Sequence, residues 1–128
     1  MGDYTAVRFK AELNEWGTRQ ITTLLTDGSW HNTELPREWL EQSRCRTIPF
    51  GGICYAPADW LEKDVEEWDQ HRNSLEGATW DVFCSTKDGG AIAAFLSKCL
   101  PKLIKTQAKV ETFFELDYEQ KTYFVNPE

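Results

Sequence analysis

The chain has 128 residues, 41% of them apolar, with six Trp, four Tyr and seven Phe. That is enough apolar mass for one self-sufficient core, and it excludes a disordered chain or a disulfide-dependent mini-domain. A formal charge of −7 argues against direct nucleic-acid binding, which needs a basic face, and no stretch approaches the roughly 18 apolar residues of a membrane span.

Asp3 to Leu13 alternates, with Thr5, Val7, Phe9, Ala11 and Leu13 on one side, and predicts a half-buried strand. Asn14 then caps a helix to about Asp27 that buries Trp16, Ile21, Leu24 and Leu25 and stops at Gly28; Gly17 weakens its propensity. Ser29 to Arg46 reads as loop around one short helix, Thr33 to Gln42, capped by Thr33 and anchored by Trp39 and Leu40. Thr47 to Tyr55 reads as a second strand, at an edge or bulged because of Pro49 and the Gly51-Gly52 pair. In the acidic stretch Pro57 to Gly77, the second half predicts a helix sharing Leu61, Val65 and Trp68 on one face. Thr79 to Ser85 is the third strand, with Trp80, Val82 and Cys84 facing one way.

The strongest helix signal is Gly89 to Lys105, where Ile92, Phe95, Leu96, Cys99, Leu100 and Leu103 form one apolar stripe. Asp88 can cap it, and Pro101 predicts a kink. Lys109 to Leu116 and Lys121 to Val125 then read as the last two strands around a turn at 117–120. The whole is a single α+β domain, 1–128, with inserts 29–46 and 57–77. It predicts a ferredoxin-like split βαββαβ unit with an extra C-terminal hairpin strand, two helices packing on one face of a mostly antiparallel sheet.

Three constellations bear on function. From Asp59 to Glu76 seven carboxylates face two bases, a local charge of −5, and two tryptophans lie among them. A charge run is most simply a solvated face. Its functional reading is a docking surface for a basic protein, formed by Asp59, Trp60, Glu62, Asp64, Glu66, Glu67, Trp68 and Asp69, with carboxylates steering the encounter and a Trp as anchor. The four cysteines contain no C-x-x-C pair and read as reduced, buried thiols rather than metal ligands. Cys45, between Arg44 and Arg46, has the one thiolate-favouring setting, while His31 and His71 fall in polar inserts. Gly-Gly at 51–52 and 89–90 lacks any phosphate-loop pattern and reads as turns and a cap. No cofactor is expected.

Met-Gly-Asp-Tyr-Thr-Ala-Val-Arg-Phe at the start, Ile-Pro-Phe-Gly-Gly-Ile-Cys-Tyr-Ala-Pro-Ala-Asp-Trp in the middle and the helix-to-hairpin end resemble small accessory proteins of phages and prophages. The Trp80-Asp81 strand is similar to one in ferredoxin-like domains of plasmid and phage proteins. The resemblance transfers no site residue. It implies a mobile-element protein in a bacterial host cytoplasm that inhibits or modulates a host defence or regulatory protein, as anti-CRISPR proteins do. The polar start is no signal peptide, and Ala6 stands where a myristoylation signal requires Ser or Thr. A small enzyme or ligand-binding domain using the open sheet face, and an immunity protein neutralising a toxin, are the alternatives.

Overall fold

A computed structural model describes residues 4–87 and 90–128. Its centre is strand β1 (Tyr4–Glu12), whose alternation puts Val7, Phe9 and Ala11 into one core. Helix α1 (Glu15–Asp27) follows at once. Asn14 sits extended before it, and its side-chain oxygen accepts from the Gly17 N–H at 2.6 Å; Gly28 ends the helix in the left-handed region. Both caps are as expected from sequence. Ile21 and Leu24 are fully buried, whereas Trp16 and Leu25 only flank the core.

The strands β2 (Arg72–Glu76), β3 (Thr79–Lys87), β4 (Ala108–Phe114) and β5 (Glu119–Val125) complete an antiparallel sheet in the order β2-β3-β1-β4-β5. The fold is therefore α+β. One sheet face, including Phe9, Trp80, Val82 and Val110, shares a core with Ile21, Leu24 and the stripe Ile92, Phe95, Cys99, Leu100 and Leu103. Among the described residues no helix is long and apolar enough to cross a membrane.

Four expectations need correction. The helix predicted over 89–105 is broken into α3 (Ala91–Ala94), a wide π turn (Phe95–Cys99) and α4 (Leu100–Leu103). Pro101 lacks an N–H, and its ring would strike the carbonyl of Ser97 in a regular helix. In the wide turn the Leu100 N–H reaches back to the Phe95 carbonyl, one residue beyond the regular helical partner, and the apolar stripe still enters one core. The predicted cap Asp88, with Gly89, lies outside the described residues.

The helix expected over Thr33–Gln42 shrinks to one turn, α2 (Arg37–Leu40), with Pro36 at its cap position. Thr33 does not cap it, since its hydroxyl donates to the Trp30 carbonyl at 2.6 Å. Trp39 anchors the turn as expected, edge-on to Trp30 at 5.4 Å and against Phe95.

The strand expected at Thr47–Tyr55 is a loop led in by a 3-10 turn at Cys45–Thr47. Pro49 has no N–H to give a ladder. The loop touches the sheet only locally, where Gly51 accepts from the Ser85 N–H at 3.2 Å and the Cys54 N–H donates to the Ser85 hydroxyl at 2.9 Å.

The helix expected late in Pro57–Gly77 is replaced by two 3-10 turns, Ala58–Trp60 and Glu67–Gln70, and then by β2. Carboxylates at helical spacing repel one another, and Asp64 has φ of 67°. The buried Gln70 side chain holds the loop instead: it accepts from the Glu62 N–H at 2.6 Å and donates to the carbonyls of Glu62 and Val65. The second strand of the fold thus comes from the end of the acidic insert.

Candidate functional site

The insert forms a third layer over the sheet face opposite the helices. Ile53 and Trp60 make a second core there with Ala6, Phe83 and Phe113. The Trp60 ring lies 6.1 Å from Phe83 and 6.5 Å from Phe113, and the Arg8 guanidinium stacks on it at 4.3 Å. Trp60 is 5% exposed, so it is a core residue and cannot anchor a partner. Its indole N–H meets no acceptor among the described residues.

Trp68 has the opposite fate. It is 68% exposed, and its ring lies flat against Gly52, where an added Cβ would come within 3.0 Å of the ring. Asp59, Glu62, Asp64, Glu66, Glu67 and Asp69 are all exposed as well. The fold therefore brings seven of the eight sequence-predicted residues to the surface and sends one into the core.

Two further exposed aromatic residues lie outside the insert. Tyr55 is 62% exposed with φ of 54°, and Tyr118, at the tip of the β4–β5 hairpin, is 76% exposed with φ of 49°. Bulky side chains rarely adopt the left-handed region, and holding them there costs about 1–3 kcal/mol each. Both rings remain exposed, and that of Tyr118 stands edge-on to Phe113 at 6.0 Å. The Glu67 carboxylate accepts from the Ala56 N–H at 3.3 Å, and the charges of Glu67 and Glu115 both bear on Cys54, so hairpin and insert are neighbours. One oxygen of Glu115 is buried without a donor. Tyr55, Glu115, Leu116 and Tyr118 escaped the sequence reading, although a Tyr in a turn with no apolar neighbour to bury it was a usable signal.

No family model, curated protein or solved structure matches the chain.

His31, His71, Asp81 and the four cysteines do not pair with one another as an acid–base or nucleophilic centre. The His71 Nε2 pairs with the Pro49 carbonyl at 2.7 Å, and His31 is exposed at the other insert. Asp81 is held by Arg72 at 3.4 Å. Cys45 is buried, and burial pushes its thiol up in spite of the Arg46 charge, so the flanking arginines do not activate it. Burial pushes Cys84 up to about 12 and Cys99 well above its ordinary value. Cys54, half-buried, is also raised, by burial and then by Glu115 and Glu67. Among the described residues no group of three or more His, Cys, Asp or Glu is placed to hold a metal.

Proposed function

We propose that the chain is a non-enzymatic binding protein that docks a partner with a basic surface through the Trp68 face. The carrying observation is Trp68: a large aromatic side chain packed against Gly52, exposed, and flanked in the chain by the exposed carboxylates Glu66, Glu67 and Asp69. Exposed aromatics of this kind are the anchors of protein interfaces, and the surrounding charge steers an oppositely charged partner to them. The strand order within β4-β1-β3-β2, with helical segments after β1 and β3, supports a ferredoxin-like arrangement extended by β5. Together with the resemblance to phage and prophage accessory proteins, this favours a mobile-element protein that inhibits or modulates a host protein in the bacterial cytoplasm. Neutralisation of a toxin would use the same face.

The test uses the full chain as bait in a bacterial lysate, followed by kinetics with whatever stoichiometric partner is retained. Trp68→Ala should speed dissociation at least tenfold. Glu66→Lys with Asp69→Lys should instead slow association about tenfold at low salt, an effect that shrinks at 500 mM as screening shortens. A partner whose rate constants ignore all three substitutions refutes this surface.

A further inference from the structure

The insert 29–46 takes no part in the Trp68 surface, yet it encloses a pocket of about 360 Å³. Three pieces of chain wall it. The turn after α1 brings Ser29, Trp30 and His31, helix α2 brings Arg37, Leu40 and Glu41, and the 3-10 turn brings Cys45 and Arg46.

The floor is apolar and its polar atoms are already committed. Trp30 is 2% exposed and Cys45 9%, both within the helix-side core. The Trp30 indole N–H donates to the Ile48 carbonyl at 2.5 Å, and the Cys45 thiol donates to the Leu40 carbonyl at 3.7 Å. Trp30 also stands edge-on to Trp39 and Trp80, at 5.4 and 6.3 Å, which holds the floor in place.

The rim differs, because what it has to spare is donors. Arg37 and Glu41 close on each other at 3.0 Å. The Ser29 hydroxyl oxygen accepts from the His31 backbone N–H at 3.0 Å, which leaves its own proton to give. Arg46 is exposed and has no carboxylate partner among the described residues, and its charge bears on the Cys45 sulfur at the floor. The nearby acids Glu38 and Asp27 do not line the pocket, and Asp27 is bonded to Asn32 at 2.9 Å.

We infer that this pocket binds a small arylcarboxylate, its ring on Trp30, Leu40 and Cys45 and its carboxylate on the Arg46 guanidinium. The volume is that of a site for one small molecule. A guanidinium fork matches a carboxylate with two parallel bonds, and the Glu41 carboxylate opposes a ligand with a second negative charge. No residue of the Trp68 surface lines the pocket, so the two proposals stand or fall separately.

Amide NMR shifts and the native-state alkylation rate of Cys45 test it on the full chain, with phenylacetate, its neutral amide phenylacetamide and sodium chloride as probes. Phenylacetate should shift Trp30, His31, Leu40 and Arg46 saturably. At about ten times its Kd it should slow alkylation of Cys45 about tenfold by occupancy, and leave the Cys54 rate as it was. Phenylacetamide should bind about tenfold more weakly or worse, and chloride at equal ionic strength should give no saturable shift. Arg46→Gln, at an exposed position, should raise the phenylacetate Kd about tenfold or more. Arg19→Gln, the same charge change on α1 outside the pocket, should leave that Kd unchanged. The inference is overturned if phenylacetate gives no saturable shift at the pocket residues, if the amide binds as tightly as the acid, or if Arg46→Gln leaves the Kd as it was.

Discussion

Replacing Gly17 with alanine sets two physical effects of opposite sign against each other. Helix propensity favours alanine by at most about 1 kcal/mol, the helix-interior value, at this first-turn position of α1. Tertiary geometry forbids it: a Cβ at Gly17 would lie 2.9 Å from the Leu103 Cα and closer still to its carbonyl oxygen, both backbone atoms that cannot rotate away. That carbonyl also accepts from the Asn14 N–H at 2.8 Å, while the Asn14 side chain donates to Lys102 at 3.0 Å. Pushing α1 off α4 therefore strains the N-cap as well as the packing. Overpacking costs about 1–3 kcal/mol, and the weakened Asn14 bond about 1 kcal/mol. The expected net loss is about 2 kcal/mol, or roughly 6–10 °C in melting temperature for a domain of this size. Urea denaturation with linear extrapolation, checked by thermal melting, measures it. An unchanged or raised midpoint would show that the two helical segments do not meet backbone to backbone at this point.

The two insert tryptophans should separate cleanly in stability. Trp60→Ala should cost about 3–5 kcal/mol as a core truncation, while Trp68→Ala should stay within about 0.5 kcal/mol; equal losses would mean that both rings are packed. For the thiols, Cys54 should be the first to react with a disulfide reagent in the native state, ahead of Cys45, because Cys84, Cys99 and Cys45 are buried. Their raised values also carry a pH dependence. The unfolded chain gives up thiol protons near pH 9 while folded Cys84 keeps its own to about 12, so stability should fall as pH rises across that window. A melting temperature that does not drop from pH 9 to 11 argues against buried neutral thiols.

Period-two alternation made β1, β3, β4 and β5 legible in the sequence, and α1 was legible from its two caps. β2 was hidden because Arg-Asn-Ser-Leu-Glu lies on an edge, and Leu75 is its sole large apolar residue. The run Thr47–Tyr55 imitates a strand because its apolar residues serve two different cores: Ile48 joins the helix side and Ile53 the insert side. A propensity reading treats such residues as one face. Within the candidate site, the carboxylates could be read from composition, but which tryptophan faces out depended on Arg8 and Phe113, each far from the insert in sequence.

The place of β1 at the middle of the sheet has a consequence for how the chain comes off the ribosome. Both of its neighbours are encoded late: Glu12 meets Thr79 across 67 residues, and Arg8 meets Glu111 across 103. At translation rates of about 5–20 residues per second, β1 waits roughly 3–13 s for β3 and longer for β4. Throughout that interval Val7, Phe9 and Ala11 have no strand beside them, and neither edge of β1 is paired. A nascent chain of this design is exposed to mispairing until the second half is made, and folding dominated by such distant contacts is intrinsically slow. Pausing or truncation between residues 13 and 79 should therefore yield aggregates or chaperone-bound chains rather than a folded fragment.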